Sequence, residues 1–281
     1  MKYTAKKEMT AIELMKIHYA GASNSTLKDY FRKNRVKVNG KLAKLPTSRM
    51  MVGDALEIAS IEKSISIELP FDLIYEDKAI LVVNKASGYL TSGEGITNRP
   101  TLHAMVDEYV EDRSGGKANA YVVHRLDKEV GGLVLFAKSE EIVEVLQHNW
   151  KSFTKKYLAL CRQMPPQEAG IIDTWLVEHQ MKMHISQREV DGAVRAISHY
   201  EWKKYVKGNS LIEVTLETGK KNQIRAHLYY IGCPIIGDRK YGDDGPKTKV
   251  RLMASELEIF HPVSSRRLHW KITPTKKFLN P

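Results

Sequence analysis

At 281 residues, 42% of them hydrophobic, the chain is long enough for one large or two smaller compact domains with a sizeable core. Its two cysteines, Cys161 and Cys233, stand far apart and in no CxxC pair, which argues against a disulfide framework or a cysteine-based metal site and for a reducing compartment. Forty-four Lys+Arg against 33 Asp+Glu give a net charge of +11, a balance that favours a polyanionic partner, nucleic acid first, although a merely soluble basic surface has the same composition.

Residues 1–60 hold twelve Lys+Arg and five Asp+Glu, so +7 of the +11 sits in about a fifth of the chain and points to a separate basic module. The first arginine is Arg32, Glu8 and Glu13 come early and no long apolar run follows; the expectation is a cytoplasmic protein without signal, transit or membrane-spanning segment. SNSTLKDYFR starts with Ser/Asn capping candidates and places Leu27, Tyr30 and Phe31 at helical spacing, with Arg32, Lys33 and Arg35 directly after. Val36 and Val38 then alternate before an Asn39-Gly40 turn, a hairpin signal, and GDALEI from Gly53 supplies a closing strand. Residues 61–70 read as a polar linker or connecting strand, and 71–281 as the second domain.

Beyond Pro70 the pattern turns strand-rich, with candidates at 79–83, 121–123, 132–137 and 211–217. Helices interleave: one after Ser139, a plausible N-cap with Glu140 and Glu141 in the first turn, and one carrying Ile224, His227, Leu228 and Ile231 that stops at Gly232. The fold class expected is α+β, a mixed or antiparallel sheet with flanking helices, with no internal repeat.

Several chemistries lack their motifs. GKKNQ resembles the end of a phosphate loop, but the glycine needed five positions upstream is Val214. No zinc spacing, HExxH helix or GxSxG elbow occurs, so no metal and no nucleotide or other cofactor is expected. The positive signal is Asp127 in HRLDKEVGG, in a loop between two strand candidates, with Gly131-Gly132 read as letting the chain turn sharply beside it. Taken alone, a loop aspartate beside Arg125 and Lys128 reads equally as half of a surface ion pair.

The context of Asp127 favours the functional reading. HRLDKEVGGLVLFAKS resembles the central motif of the RluA-type RNA pseudouridine synthases, and IYEDKAILVVNKASGYLT, KKYLAL, LETGKKNQIRAHLYYIGCPIIGDRKYG and RLMASELEIFHP resemble that family's other blocks, in its order. Together they span residues 71–262. FRKNRVKVNGK and GDALEI likewise resemble an S4 RNA-binding domain, so 1–60 is expected to be S4-like. Four positions depart from the family pattern: Val130 and Gly131 replace Thr and Ser, and Lys220 and Asn222 replace Arg and His.

The resemblance implies a cofactor-free isomerisation of uridine in RNA, rRNA before tRNA; apart from it, a monomer is expected before an oligomer. It makes Asp127 the essential carboxylate, Arg225 its charged partner and Tyr157 the ring that stacks on the detached uracil. His124, Arg125, Leu126, Gln223 and Ile224 are the expected substrate contacts, Arg125 filling the space that a flipped base leaves, although His124 could simply pack. Arg32, Lys33, Arg35, Lys37 and Asn39 are the expected RNA contacts of the first module. Two other readings compete: a non-catalytic RNA-binding relative, and a glycosidase pairing Asp127 with Glu129 or Glu217.

Overall fold

The computed structural model describes residues 2–19, 24–32, 34–58, 71–93, 100–245 and 248–281. Lys33, the capping candidate Ser23 and the expected linker 61–70 lie outside the described residues. Contacts divide the chain into two units, Met1–Leu69 with Ala104–Ala120, and Pro70–His103 with Tyr121–Pro281. No described helix is long and apolar enough to cross a membrane.

The first unit holds helices Ala11–His18 and Asn24–Arg32 and a four-stranded sheet ordered Lys2–Thr4, Ala55–Ile58, Val36–Val38, Lys41–Leu42. Leu27 and Phe31 are buried with Leu14, Met15, Val36 and Leu56, as helical spacing and strand alternation require. The first helix is fixed by a capping box in which the Glu13 carboxylate accepts from the Thr10 backbone N–H (2.7 Å) and hydroxyl (2.9 Å). Asn39 (φ +51°) and Gly40 (φ +78°) form the hairpin turn, both in the left-handed region that a tight hairpin needs.

Two of the expected RNA contacts have structural partners instead. Arg35 donates to both oxygens of Asp112 (3.1 and 2.9 Å) and pairs with Glu108 (2.9 Å), while Tyr30 also donates to Asp112 (2.9 Å). This cluster ties Ala104–Ala120 to the first 69 residues and occupies the guanidinium. Asn39 donates to Asp54 and accepts the Ala55 N–H, both at 2.8 Å, so its side chain holds the turn. The side chains of Arg32 and Lys37 are exposed.

The second unit is built on one eleven-stranded sheet, ordered Lys182–Ser186, Ala169–His179, Val194–Val206, Asn209–Leu216, Thr154–Cys161, Leu252–Phe260, Gly131–Ala137, Ile80–Lys85, Phe71–Glu76, with Arg267–Lys271 and Tyr121–Val122 pairing beside it. All four strand candidates are present, and helix Glu140–His148 begins where Ser139 accepts the Ile142 N–H. Every pairing is antiparallel except that of Gly131–Ala137 with Leu252–Phe260, which extends over Gly131↔Met253 and Gly132↔Ala254 alone. Ile80–Val83 and Leu133–Ala137 are buried throughout, the pattern of strands covered on both faces.

That seam corrects the reading of Gly131-Gly132 as a turn. Both residues lie in the strand, and the turn is Asp127–Val130, closed by the Val130 N–H on the Asp127 carbonyl (3.1 Å). Gly132 has φ +114°, and a Cβ there would lie 2.2 Å from the Ala254 carbonyl oxygen. A side chain at 132 is incompatible with the parallel approach. Gly132→Ala is therefore expected to destabilise the protein by about 3 kcal/mol through combined strain and overlap, measured as a lower denaturant midpoint at unchanged slope.

Candidate active site

Three chain segments meet at Asp127. Its own turn is interlocked with residues 85–88: Ser87 Oγ donates to the Glu129 carbonyl (2.6 Å) and Gly88 N–H to that of Lys128 (2.8 Å). The buried Lys85 ammonium lies among the carbonyls of Tyr89 (2.8 Å), Asp127 (3.3 Å), Lys128 and Ala86 (both 3.4 Å). Burial pushes the Lys85 pKa down to about 8, against the pull of Glu129 and Asp127. The turn backbone is thus anchored from below, and the Asp127 side chain, 28% exposed, projects into the cleft.

Helix Gln223–Tyr230 supplies the second group. Arg225, with its side chain 6% exposed, is clamped by Asp238, which accepts from Nε (2.6 Å) and Nη2 (2.8 Å). This fork-to-fork pairing leaves Nη1 directed at Asp127 Oδ2 (3.3 Å) and Glu129 Oε2 (3.5 Å). Burial would lower the Arg225 pKa, but the hydrogen bonds and charge of Asp238, with Asp127 and Glu129, outweigh it and raise the value. The guanidinium is permanently charged. Asp238 itself is held because Gly237 (φ +83°) passes against the Lys249 carbonyl, where a Cβ would lie 2.4 Å away, and donates its N–H to Asp243.

Asn222, just before the helix, donates Nδ2 to Asp127 Oδ2 at 2.6 Å. The third segment is strand Thr154–Cys161, whose register against Leu252–Phe260 shifts between Lys156 and Tyr157, the irregularity that re-aims a side chain. Tyr157 lines a small cavity of about 70 Å³ with Arg125, Leu126, Asp127, Val130 and Ile224. Burial, reinforced by the Asp127 charge, pushes its phenol up, so the hydroxyl stays protonated at neutral pH. A second cavity of about 340 Å³ opens on the other side of Asp127 and is rimmed by Lys128, Lys221, Arg239 and Lys240. Apolar walls with a ring on one side and cations on the other suit a base and a phosphate chain respectively.

The structure therefore brings Asp127, Tyr157 and Arg225 together, with Leu126, Ile224 and the exposed Arg125 around them. It gives two expected substrate contacts different work. His124 accepts the Leu135 N–H at Nε2 (3.1 Å) and stacks on Trp150 (4.5 Å between centroids). Burial, with the nearby Lys155, pushes its pKa down to about 3, as suits a neutral packing residue. Gln223 accepts from Thr218 Oγ1 and the Lys220 N–H and donates to the Ile197 carbonyl and Ser198 Oγ, leaving its amide no group for RNA. Glu217, the alternative second carboxylate, pairs with His199 (3.2 Å) and lines neither cavity. Sequence reasoning missed Asp238, Lys85 and the placement of Asn222; the signal available was that a buried arginine requires a carboxylate.

The RNA pseudouridylate synthase family matches residues 79–230. The ribosomal large subunit pseudouridine synthase D of Yersinia pestis is 30% identical over 273 residues, covering 88% of this chain and 82% of the relative. That of Blochmanniella floridana is 27% identical over 276 residues, 88% and 85% of the two chains. Among solved structures, human RNA pseudouridylate synthase domain containing 4 superposes with a TM-score of 0.63 at 24% identity, over 74% of this chain and 90% of that one.

Removing the Asp238 carboxylate leaves the Arg225 charge buried with weaker partners. Asp238→Asn is expected to cost about 3 kcal/mol of stability, less than a fully orphaned ion because Asp127 and Glu129 remain, and to abolish most activity. Urea unfolding and the turnover of the folded fraction check the two effects separately.

Proposed function

The chain belongs to the RNA pseudouridylate synthase family, and from that premise we propose that it converts uridines of large-subunit ribosomal RNA to pseudouridine, using Asp127. The observation that carries the assignment is the shared cavity: a carboxylate paired with a buried guanidinium borders the same slot as a tyrosine ring and the apolar side chains of Leu126, Val130 and Ile224. The ribosomal target is supported by the names of the two relatives and by the basic first 60 residues. The cytoplasm is the compartment where such RNA would be met.

The reaction breaks the N1–C1′ bond of uridine, turns the base and joins C5 to C1′; the proton lost from C5 is balanced by one gained at N1. Nothing is oxidised or hydrolysed. Asp127 serves as nucleophile at C1′ or as base toward the ribose, oriented by the Arg225 Nη1 that donates to its Oδ2 at 3.3 Å. Tyr157 stacks on the uracil between cleavage and rejoining, keeping it oriented while it turns. The nucleotide must first leave its stack, and Arg125, exposed beside the cavity, is suited to the gap it vacates. Arg32, Lys33 and Lys37 supply phosphate contacts that give affinity without reading sequence. The non-catalytic reading rested on Val130, Gly131, Lys220 and Asn222, and no contact of these residues favours it.

Wild-type protein incubated with RNA from a strain lacking the gene is expected to introduce pseudouridine at defined large-subunit positions, mapped at single-nucleotide resolution, and Asp127→Asn to introduce none. RNA binding without any new site would transfer the assignment to the non-catalytic reading. Tyr157→Ala should lower kcat/KM by about ten- to a hundredfold through lost stacking. Arg32→Ala with Lys37→Ala should weaken binding on every RNA tested and flatten the salt dependence, read from titrations at several salt concentrations.

A further inference from the structure

Asn222 stands where the family pattern has histidine, and its geometry gives it a defined task. Its backbone is left-handed (φ +52°, ψ +19°), a conformation asparagine enters more readily than most residues, and the residue is 8% exposed. Oδ1 accepts from Lys240 Nζ at 2.9 Å and from the Tyr241 hydroxyl at 3.4 Å, and Nδ2 donates to Asp127 Oδ2 at 2.6 Å. A lysine ammonium donates only, so the amide oxygen must face Lys240 and the amide nitrogen must face Asp127. The orientation of the amide is dictated by its neighbours.

The two Asp127 oxygens are thereby made unequal. Oδ2 receives Asn222 Nδ2 and Arg225 Nη1, whereas among the described residues no hydrogen bond reaches Oδ1. We propose that Asn222 is a positioning residue for Asp127: its amide, turned by Lys240, ties down Oδ2 and leaves Oδ1 as the oxygen presented to the ribose. The inference rests on the reading of Asp127 as the essential carboxylate.

The arrangement follows a simple electrostatic logic. Asp127 already faces the Arg225 guanidinium, and Arg225 and Lys221 lie close enough to Lys240 that, after burial, they help lower its pKa. A second cation bonded directly to the carboxylate would draw electron density away from the oxygen that must attack. An amide donates a hydrogen bond, restricts the rotamer and adds no charge. It also does not titrate in the neutral range, whereas the histidine of the family pattern would.

The test uses the full chain. Asn222→Gly removes the amide and suits the left-handed backbone, so it deletes the contact without adding strain. Expected are a fall in kcat of about ten- to a hundredfold, the range for a hydrogen bond to a charged group, an unchanged KM for RNA and an unchanged unfolding midpoint. Lys240→Met should lower kcat less, and the double variant should be no slower than Asn222→Gly, because Lys240 acts through the amide. Unchanged kcat in either single variant, a raised KM at unchanged kcat, or losses that multiply in the double variant would overturn the proposal; Lys240→Met decides it if Asn222→Gly does not fold. Asp127→Asn, assayed alongside, separates the two ideas: if that variant retains activity, the premise about Asp127 fails, whatever Asn222 does.

Discussion

The buried contact between Arg225 and Asp238 is the constraint on which the cleft depends. A guanidinium taken out of water incurs a desolvation cost of several kcal/mol, and only a partner matched to its fork offsets that cost. Asp238, itself fully buried, binds two edges of the fork and so fixes the direction of the third, toward Asp127. What surrounds Asp238 follows from this need: Gly237 lets the chain pass close to Lys249, and Asp243 holds the Gly237 N–H while pairing with Arg162. The Asp127 carboxylate receives a cation whose position is determined two residues deep.

The opposite wall is fixed by different means. The Asp127 turn has no regular structure of its own, and its carbonyls are satisfied by Lys85, Ser87 and Gly88 from the neighbouring loop. Backbone groups that would otherwise be orphaned at the edge of a cleft become the fastening of the turn. The Asp127 side chain is left to border both cavities, which is the condition for a carboxylate to act on a substrate and not merely to pair.

Periodicity and turn chemistry made much of the fold legible. The burial of Leu27 and Phe31, the Asn39-Gly40 hairpin, the Ser139 cap and the strand beginning at Ile80 each follow from local patterns with a physical cause. The errors share one cause as well. Arg35 belongs to a run of basic residues, but its partners Glu108 and Asp112 are distant in sequence, so its neutralisation was invisible there. His124 and Gln223 have the polar side chains expected of substrate contacts, yet His124 accepts a backbone N–H and stacks on Trp150, and the Gln223 amide is saturated by partners that only the fold brings near. Gly131-Gly132 misled because a turn and a close approach of two backbones require the same freedom from a Cβ. Family resemblance pointed to Asp127, Tyr157 and Arg225, which the fold brings together; Asp238 lies in the same resembling segment as Arg225, but nothing in that segment showed that it would clamp the guanidinium.

The short parallel pairing at Gly131 and Gly132 divides the large sheet into two antiparallel halves. Asp127 leads into one half, while Tyr157 lies on the other and Arg225 is carried by the helix that follows one of its strands. The seam joins Gly131 to Met253, and within one half Thr154 pairs with Glu258, so both depend on strands distant in the chain, where loop-closure entropy makes contacts slow to form. Asp127 and Arg225 belong to opposite sides of the seam, and the 3.3 Å contact between them requires both halves to be in register. A displacement of one half against the other along this short seam would separate the carboxylate from its arginine while leaving the hairpins of each half paired.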